Sequence, residues 1–246
     1  MLSLFGKSQS HKCPVPEASQ KWIETAFPFL VKLFGEEKIR HKKVLVPHHS
    51  DFPIHYDGGV DAARNTLDIV ARQMDVTPDD VMLDIYTDGT RSISTGSPMG
   101  GDIFLGREEH TDDNTEIPGD TSAYRGRQED GKLHIWLEQR RLTDPERMVP
   151  HFAHELARIL IMESIQSEDD PRLAEMTTMM FGLGIFNANT SFLSAKKGYI
   201  LQREWGYALA LFARTRGESH PDWVKYLTRN IRSDFDKSQA YLKDRD

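Results

Sequence analysis

The sequence changes character near residue 144, and this change constrains the fold more than any other feature. The triplet Asp144-Pro145-Glu146 is a helix-start signal, although Pro150 suggests that the main helix begins at or near that residue. Further helical runs are predicted at about 172–184, 201–216 and 221–243. Before residue 144, helical and extended patterns alternate. We therefore predict an α+β fold, in which a mainly helical C-terminal half packs on a small mixed sheet.

Two helices are predicted in the first part of the chain. Residues 16–35 carry a helical apolar stripe that is disturbed at Pro28 and closed by Gly35. A second amphipathic helix starts at residue 60, and its apolar face consists of Val60, Ala63, Leu67, Val70 and Met74. The remaining segments are predicted strands at 43–47 and 81–88, a long surface excursion at 89–120, and a hairpin that turns at Asp130-Gly131.

Length and composition limit the class of protein. A chain of 246 residues suits one sizeable domain or two small ones. We predict a single domain over 1–246, with a mixed part at about 16–140 and a helical part at about 144–243. The net charge of -7 argues against a nucleic-acid partner. The one cysteine, Cys13, excludes an intramolecular disulfide framework and fits a reducing compartment. With no apolar run of about 18 residues and no apolar N-terminal signal region, we expect a cytoplasmic protein without a membrane partner.

Candidate chemistry lies in the stretch VPHFAHELARILI, residues 149–161. In a helix, His151, His154, Glu155 and Arg158 share one face, which makes a polar stripe on a strongly apolar helix. Zinc-binding helices of the form H-E-x-x-H place two histidines one turn apart on the metal, and the glutamate takes a proton from the metal-bound water. Arg158 stands at the second histidine position. Its guanidinium stays protonated and has no lone pair, so Arg158 cannot bind a metal.

A third zinc ligand normally comes from a helix that follows the H-E-x-x-H helix. Between Leu173 and Ala195 the only charged residue is Glu175, near the start of a very apolar helix. An unpaired carboxylate in such surroundings is costly, so Glu175 needs a partner.

Through these and other sequence segments, the chain resembles a family of bacterial zincin-like, metallopeptidase-related proteins. The matching phrases are CPVPEASQKWIE, AHELAR, LAEMTTMMFGLGIFNAN and GYILQREWGYALALFARTRGE, which together span nearly the whole chain. The resemblance implies a zincin-like core. It also implies that His154 corresponds to the first zinc histidine, Glu155 to the catalytic glutamate and Glu175 to the acidic third ligand. Arg158 departs from the family pattern at the second histidine, so the standard zinc site cannot form.

Three interpretations of the polar stripe remain open. In the first, Arg158 replaces the metal and bridges to Glu175 or Glu155 as an arginine–carboxylate pair. In the second, His151 substitutes as a ligand, and a metal is held by His151, His154 and Glu175. In the third, the two histidines are ordinary surface or capping residues.

The remaining candidates have a weaker basis in the sequence. Three loop histidines, His48, His49 and His55, form a conceivable metal cluster but are typical of an exposed loop. The glycine-rich segment 95–106 lacks a phosphate-loop pattern and indicates a surface loop. Tyr199 or Tyr207 could stabilise an oxyanion, but core packing explains both. Cys13 could cover a metal as a thiolate, whereas a small buried residue is the plain alternative.

We therefore expect a degenerate zincin-like protein, a pseudoenzyme without the standard zinc site or peptidase activity. No cofactor is expected, and the role would be binding or structural, with a protein or peptide as the ligand. The alternative is a metal-dependent hydrolase in which zinc or another divalent metal is held by His151, His154 and Glu175. Glu155 would then be the general base.

Overall fold

The computed structural model describes residues 11–86, 91–93, 103–105, 130–165, 170–191 and 199–245. The chain forms two compact units. One combines Met1–Val46 with Asp170–Asp246, and the other is Pro47–Asp169. The predicted division at residues 140–144 follows chain order, whereas the first unit joins the N-terminal helices to the C-terminal ones. The fold is helix-rich with a small sheet, so the α+β class is confirmed.

The first unit is helical. Its helices are α1 (Glu17–Phe34), α2 (Glu36–His41), α5 (Pro171–Met180), α6 (Gly184–Thr190), α7 (Gln202–Thr215) and α8 (Arg229–Lys243). The predicted stripe of α1 is confirmed, since Ile23, Phe27 and Leu30 are buried. The helix continues through Pro28, which lies on its exposed side, and Gly35 ends it at φ 90°. The predicted run at 172–184 is divided between α5 and α6.

Two glycines in the first unit permit close backbone approaches. A Cβ on Gly206 of α7 would lie 2.6 Å from the Asp234 Cβ on α8, so glycine allows these helices to touch. Gly182, between α5 and α6, has φ +77°, and a Cβ there would lie 2.3 Å from the Lys43 carbonyl oxygen. The Leu45 amide donates to the Gly182 carbonyl at 2.9 Å. The predicted strand at 43–47 is wrong, because Leu45 is buried within this helical unit and not in a sheet.

Glu24 of α1 joins α7 and the segment that follows α8 in the same unit. Its Oε1 accepts hydrogen bonds from Gln20 at 3.0 Å, from the Tyr207 hydroxyl at 2.6 Å and from Arg245 at 2.6 Å. Burial alone would raise the pKa of Glu24, but these three hydrogen bonds outweigh it and the pKa is lowered. Burial and the Glu24 carboxylate together raise the pKa of Tyr207.

The second unit contains the described strands, which form two separate two-stranded sheets. Its elements are α3 (Val60–Gln73), β1 (Val81–Tyr86), β2 (Arg91–Ile93), β3 (Ile103–Leu105), β4 (Leu133–Glu138) and α4 (Pro145–Ile165). The strands β1 and β4 pair in parallel, with Val81 opposite Leu133 and Tyr86 opposite Glu138, and β2 pairs antiparallel with β3. Alternate residues of β4, namely Leu133, Ile135 and Leu137, are buried and form one apolar face.

The predictions for this unit have mixed outcomes. The amphipathic helix α3 is confirmed, although Val60 at its first position is exposed. The strand β1 is confirmed at Val81–Tyr86. Three predictions fall largely outside the described residues. They are the first arm of the hairpin, the glycine-rich segment 95–106 and the excursion 89–120, of which only 91–93 and 103–105 are described. Gly131 at φ +76° marks the predicted turn before β4.

The start of α4 differs from the prediction. The helix begins at Pro145 and continues through Pro150, so the proposed start near Pro150 is wrong. Pro145 at the first helical position has no amide hydrogen that needs an acceptor. The Arg147 and Met148 amides both donate to the Asp144 carbonyl at 3.2 Å, and the Arg147 amide also donates to the Asp144 carboxylate at 3.3 Å. Pro150 removes one hydrogen bond from a helix whose apolar side is buried over several turns. Among the described helices of both units, none has the length and apolar character needed to cross a membrane.

Candidate functional site

The polar stripe of α4 is surrounded by apolar packing. Phe152, Leu156 and Ile159 are buried on the same helix, and they fix the orientation of its polar face. The centre of the stripe is not solvated, because His154 and Glu155 are buried, while His151 and Arg158 are half-buried. Burial of His154 excludes the interpretation of this histidine as an ordinary surface residue.

An ion pair occupies the C-terminal part of the stripe. The Arg158 Nη1 donates to the Glu155 Oε2 at 3.2 Å, one helical turn away. The two side chains are 12% and 8% exposed, so the pair is largely removed from solvent. A buried ion pair of this kind adds little stability compared with a well-packed apolar pair in the same place. Removing one partner of such a pair leaves a buried charge uncompensated and typically lowers the free energy of unfolding by about 3–5 kcal/mol. The buried Glu155 carboxylate therefore depends on the Arg158 guanidinium.

His151 is held by the sheet. Its Nε2 lies 2.8 Å from the Trp136 carbonyl oxygen of β4, and a carbonyl only accepts, so Nε2 carries the hydrogen. Burial lowers the pKa of His151, although the Glu155 charge and the hydrogen bond to Trp136 oppose this shift. The ring is therefore neutral at neutral pH, with its remaining lone pair on Nδ1.

Glu175 belongs to the first unit and lies on α5. Its side chain is buried, and the Asn187 amide of α6 lies 3.4 Å from each carboxylate oxygen. Asn187 is therefore a partner of this acid that the sequence patterns did not predict. The segment FGLGIFNAN contained the signal, since Asn187 is the first polar residue after the apolar run 181–186 and lies on the helix that follows α5.

The residues of the stripe do not fit a standard zinc site. Arg158 occupies the second ligand position and holds Glu155, the residue that would activate a metal-bound water. A cation at this position would repel a second, divalent cation. Over the part of the chain that the structure describes, no three His, Cys, Asp or Glu side chains form a group that could hold a metal ion.

The other candidate residues from the sequence have the following surroundings. The three loop histidines His48, His49 and His55 are exposed, and the His48 ring contacts the Ser50 hydroxyl at 3.0 Å. Cys13 is a half-buried free thiol in the first unit. Tyr207 is buried and its hydroxyl donates to Glu24, as expected for a tyrosine that packs in a core. Tyr199 is half-buried at the edge of the described residues.

Comparisons of the chain with protein-family models, with curated proteins and with solved structures find no match in any of the three. The geometry of the stripe is therefore the basis for a functional conclusion.

Proposed function

We propose that this chain is a degenerate zincin-like protein in which Arg158 takes the place of the metal. The observation that supports this most directly is the nearly buried Arg158–Glu155 pair on the HELAR helix. The arginine supplies positive charge where the family pattern places a zinc histidine. It also engages the carboxylate that would act as the general base in peptide hydrolysis.

The proposed role is binding or structural, without peptidase activity. In a zinc peptidase the glutamate must be free to accept a proton from the metal-bound water. Here Glu155 is paired with Arg158, and Arg158 occupies the position of a zinc ligand. We expect the ligand to be a protein or peptide, because the resemblance implies an ancestral peptide-binding cleft. A cytoplasmic location belongs to the same proposal and is supported by the single cysteine.

One observation favours the alternative of a metal-dependent hydrolase. Metal-binding histidines commonly donate their second ring nitrogen to a carbonyl, which fixes the ring and its tautomer, and His151 does this with Trp136. In that alternative, His151, His154 and Glu175 would hold the metal. Arg158 in contact with Glu155 argues against it, so we retain it as an outcome of the test.

Metal content measured by mass spectrometry tests the proposal. Native protein and the Arg158→His variant are exposed equally to zinc, desalted and measured. Arg158→Met removes the guanidinium without adding a ligand, and Arg147→His adds a histidine elsewhere on α4. Urea unfolding of each variant establishes that the protein measured is folded.

We expect about one zinc in Arg158→His and almost none in the native protein or the two control variants, since only that substitution completes the two-histidine pattern. Zinc at about one equivalent in native protein, lost in His151→Ala, would replace the proposal with the metalloenzyme alternative. Folded Arg158→His that binds no zinc would contradict the descent of this helix from a zinc site.

A further inference from the structure

A second charged cluster lies in the second unit, on the sheet face opposite the buried residues of β4. In the parallel register Met82 is opposite His134 and Asp84 is opposite Trp136, so Asp84 and His134 lie on the same face. The His134 Nδ1 is 2.6 Å from the Asp84 Oδ2, and its Nε2 is 3.1 Å from the Asp130 Oδ2. One imidazole therefore lies between two carboxylates.

The charge state of His134 decides whether both contacts are hydrogen bonds. A neutral imidazole has one N–H donor, whereas ionised carboxylate oxygens only accept. Both contacts can be hydrogen bonds at once only when His134 is an imidazolium. The exposed fractions of the side chains are 15% for His134, 20% for Asp84 and 47% for Asp130, so the Asp130 contact is the more solvated of the two.

Asp130 connects the histidine to the turn that precedes β4. Its Oδ1 accepts from the Lys132 amide at 2.9 Å, while its Oδ2 faces His134. Gly131 between them adopts φ +76°, a conformation that glycine tolerates. The hydrogen bonds from the Lys132 amide and from His134 lower the pKa of Asp130. One carboxylate therefore shapes the turn and contacts the sheet.

Other charged groups near these strands have partners of their own. The Lys132 ammonium lies 3.7 Å from the Met82 sulfur, and Glu138 pairs with Arg140. On α3, which contacts β1, Arg64 donates to the backbone carbonyls of Pro78 and Val81 and pairs with Asp68. Within the described residues, His134 is the basic side chain that lies within ion-pair distance of both Asp84 and Asp130.

We propose that His134 is a protonation-dependent clasp that ties the Asp130–Lys132 turn to β1. As an imidazolium it donates to both carboxylates. When it loses a proton, it keeps the shorter and less exposed contact with Asp84 and releases Asp130. Imidazoles change charge between about pH 5 and 8, so the turn is held on the acidic side of this range and freed on the basic side. The clasp is independent of the proposed function of α4.

Side-chain ¹H–¹⁵N NMR of the full chain tests the clasp. At pH 5.5 both ring nitrogens of His134 should carry hydrogens, and at pH 8.5 only Nδ1 should. In Asp130→Asn the Nε2 hydrogen of His134 should exchange faster with solvent at pH 5.5 than in native protein, because the carboxylate that accepts it is gone. His220, whose ring contacts the Ser219 hydroxyl at 3.2 Å, provides the reference that Asp130→Asn should leave unchanged.

Hydrogen exchange of the Lys132 amide provides a second readout. After correction for intrinsic rates, its protection should decrease roughly two- to fivefold between pH 5.5 and 8.5 in native protein. This pH dependence should vanish in His134→Gln, whose amide cannot titrate. A bare His134 nitrogen at pH 5.5, an unchanged exchange rate of the Nε2 hydrogen in Asp130→Asn, or equal protection of Lys132 at both pH values would overturn the proposal.

Discussion

Separating Arg158 from Glu155 should cost far more than removing both charges together. Arg158→Met keeps most of the apolar stem and leaves the Glu155 carboxylate, 8% exposed, without the guanidinium. Glu155→Gln keeps the shape and leaves the guanidinium without the carboxylate. Because both side chains are about nine-tenths buried, we expect each single substitution to lower the free energy of unfolding by about 3 kcal/mol. The double variant carries neither charge, and it should lose much less than the sum of about 6 kcal/mol.

The assay is urea unfolding, followed by far-ultraviolet circular dichroism and by tryptophan fluorescence. A free energy is extracted only where the two transitions coincide, because a chain with two compact units can unfold in steps. The coupling energy from the four proteins should be at least about 2 kcal/mol. Trp136, whose carbonyl accepts from His151, places one fluorescent reporter beside the stripe.

A matched control is available on the same helix. Arg147 pairs with Asp144 at 3.1 Å with the same spacing of three residues, but these side chains are 39% and 38% exposed. The corresponding cycle, Arg147→Met with Asp144→Asn, should give a coupling below about 1 kcal/mol. If the Arg158–Glu155 substitutions are additive within about 0.5 kcal/mol, or couple no more strongly than the control, burial of the pair has no energetic consequence and our reasoning fails.

Two further predictions concern the helical unit. Because the pKa of Glu24 is lower in the folded chain than its ordinary value of 4.5, its carboxylate stabilises the fold above that pH, and the contribution is lost as the pH falls through the folded pKa. Glu24→Gln should therefore cost about 1 kcal/mol at pH 7 and progressively less in urea titrations toward pH 3, whereas a constant difference would contradict the assigned charge. Gly206→Ala should lower the free energy of unfolding by about 2–3 kcal/mol, because its Cβ would lie 2.6 Å from the Asp234 Cβ. Gly217→Ala, at φ +70° with open space around it, should cost about 1 kcal/mol, and an equal cost at both sites would show that α7 and α8 separate easily.

Helices with a continuous apolar stripe are predictable from this sequence because the signal is local. In α3, Ala63, Leu67, Val70 and Met74 recur at helical spacing and all are buried. The short strand predicted at 43–47 shows the limit of the same method. An apolar run of a few residues fits a strand or a buried loop equally well, and the contact that decides it, Leu45 with Gly182, joins distant parts of the chain.

The sheet could not be predicted in the same way. Pairing of β1 with β4 in parallel depends on a crossover between strands far apart in sequence, and local patterns carry no information about such a pairing. Contact between His134 and Asp84 follows from that register, so no local motif could indicate it. The residues of the α4 stripe were predictable, because His151, His154, Glu155 and Arg158 lie on one helix. The Trp136 carbonyl that orients His151 was not, since it belongs to the sheet.

A single charge requirement connects the candidate site with its energetics. Glu155 lies on a buried helical face and needs a cation within a few ångströms. In an H-E-x-x-H helix a metal can provide that charge, whereas here Arg158 provides it from one turn further along. Strong coupling of the pair together with zinc capture by Arg158→His would mean that one substitution removed a ligand and supplied its compensating charge. Strong coupling without zinc capture would mean that Arg158 and Glu155 form a structural ion pair. The zincin-like proposal would then fail, while the predicted coupling energy of the buried pair would be confirmed.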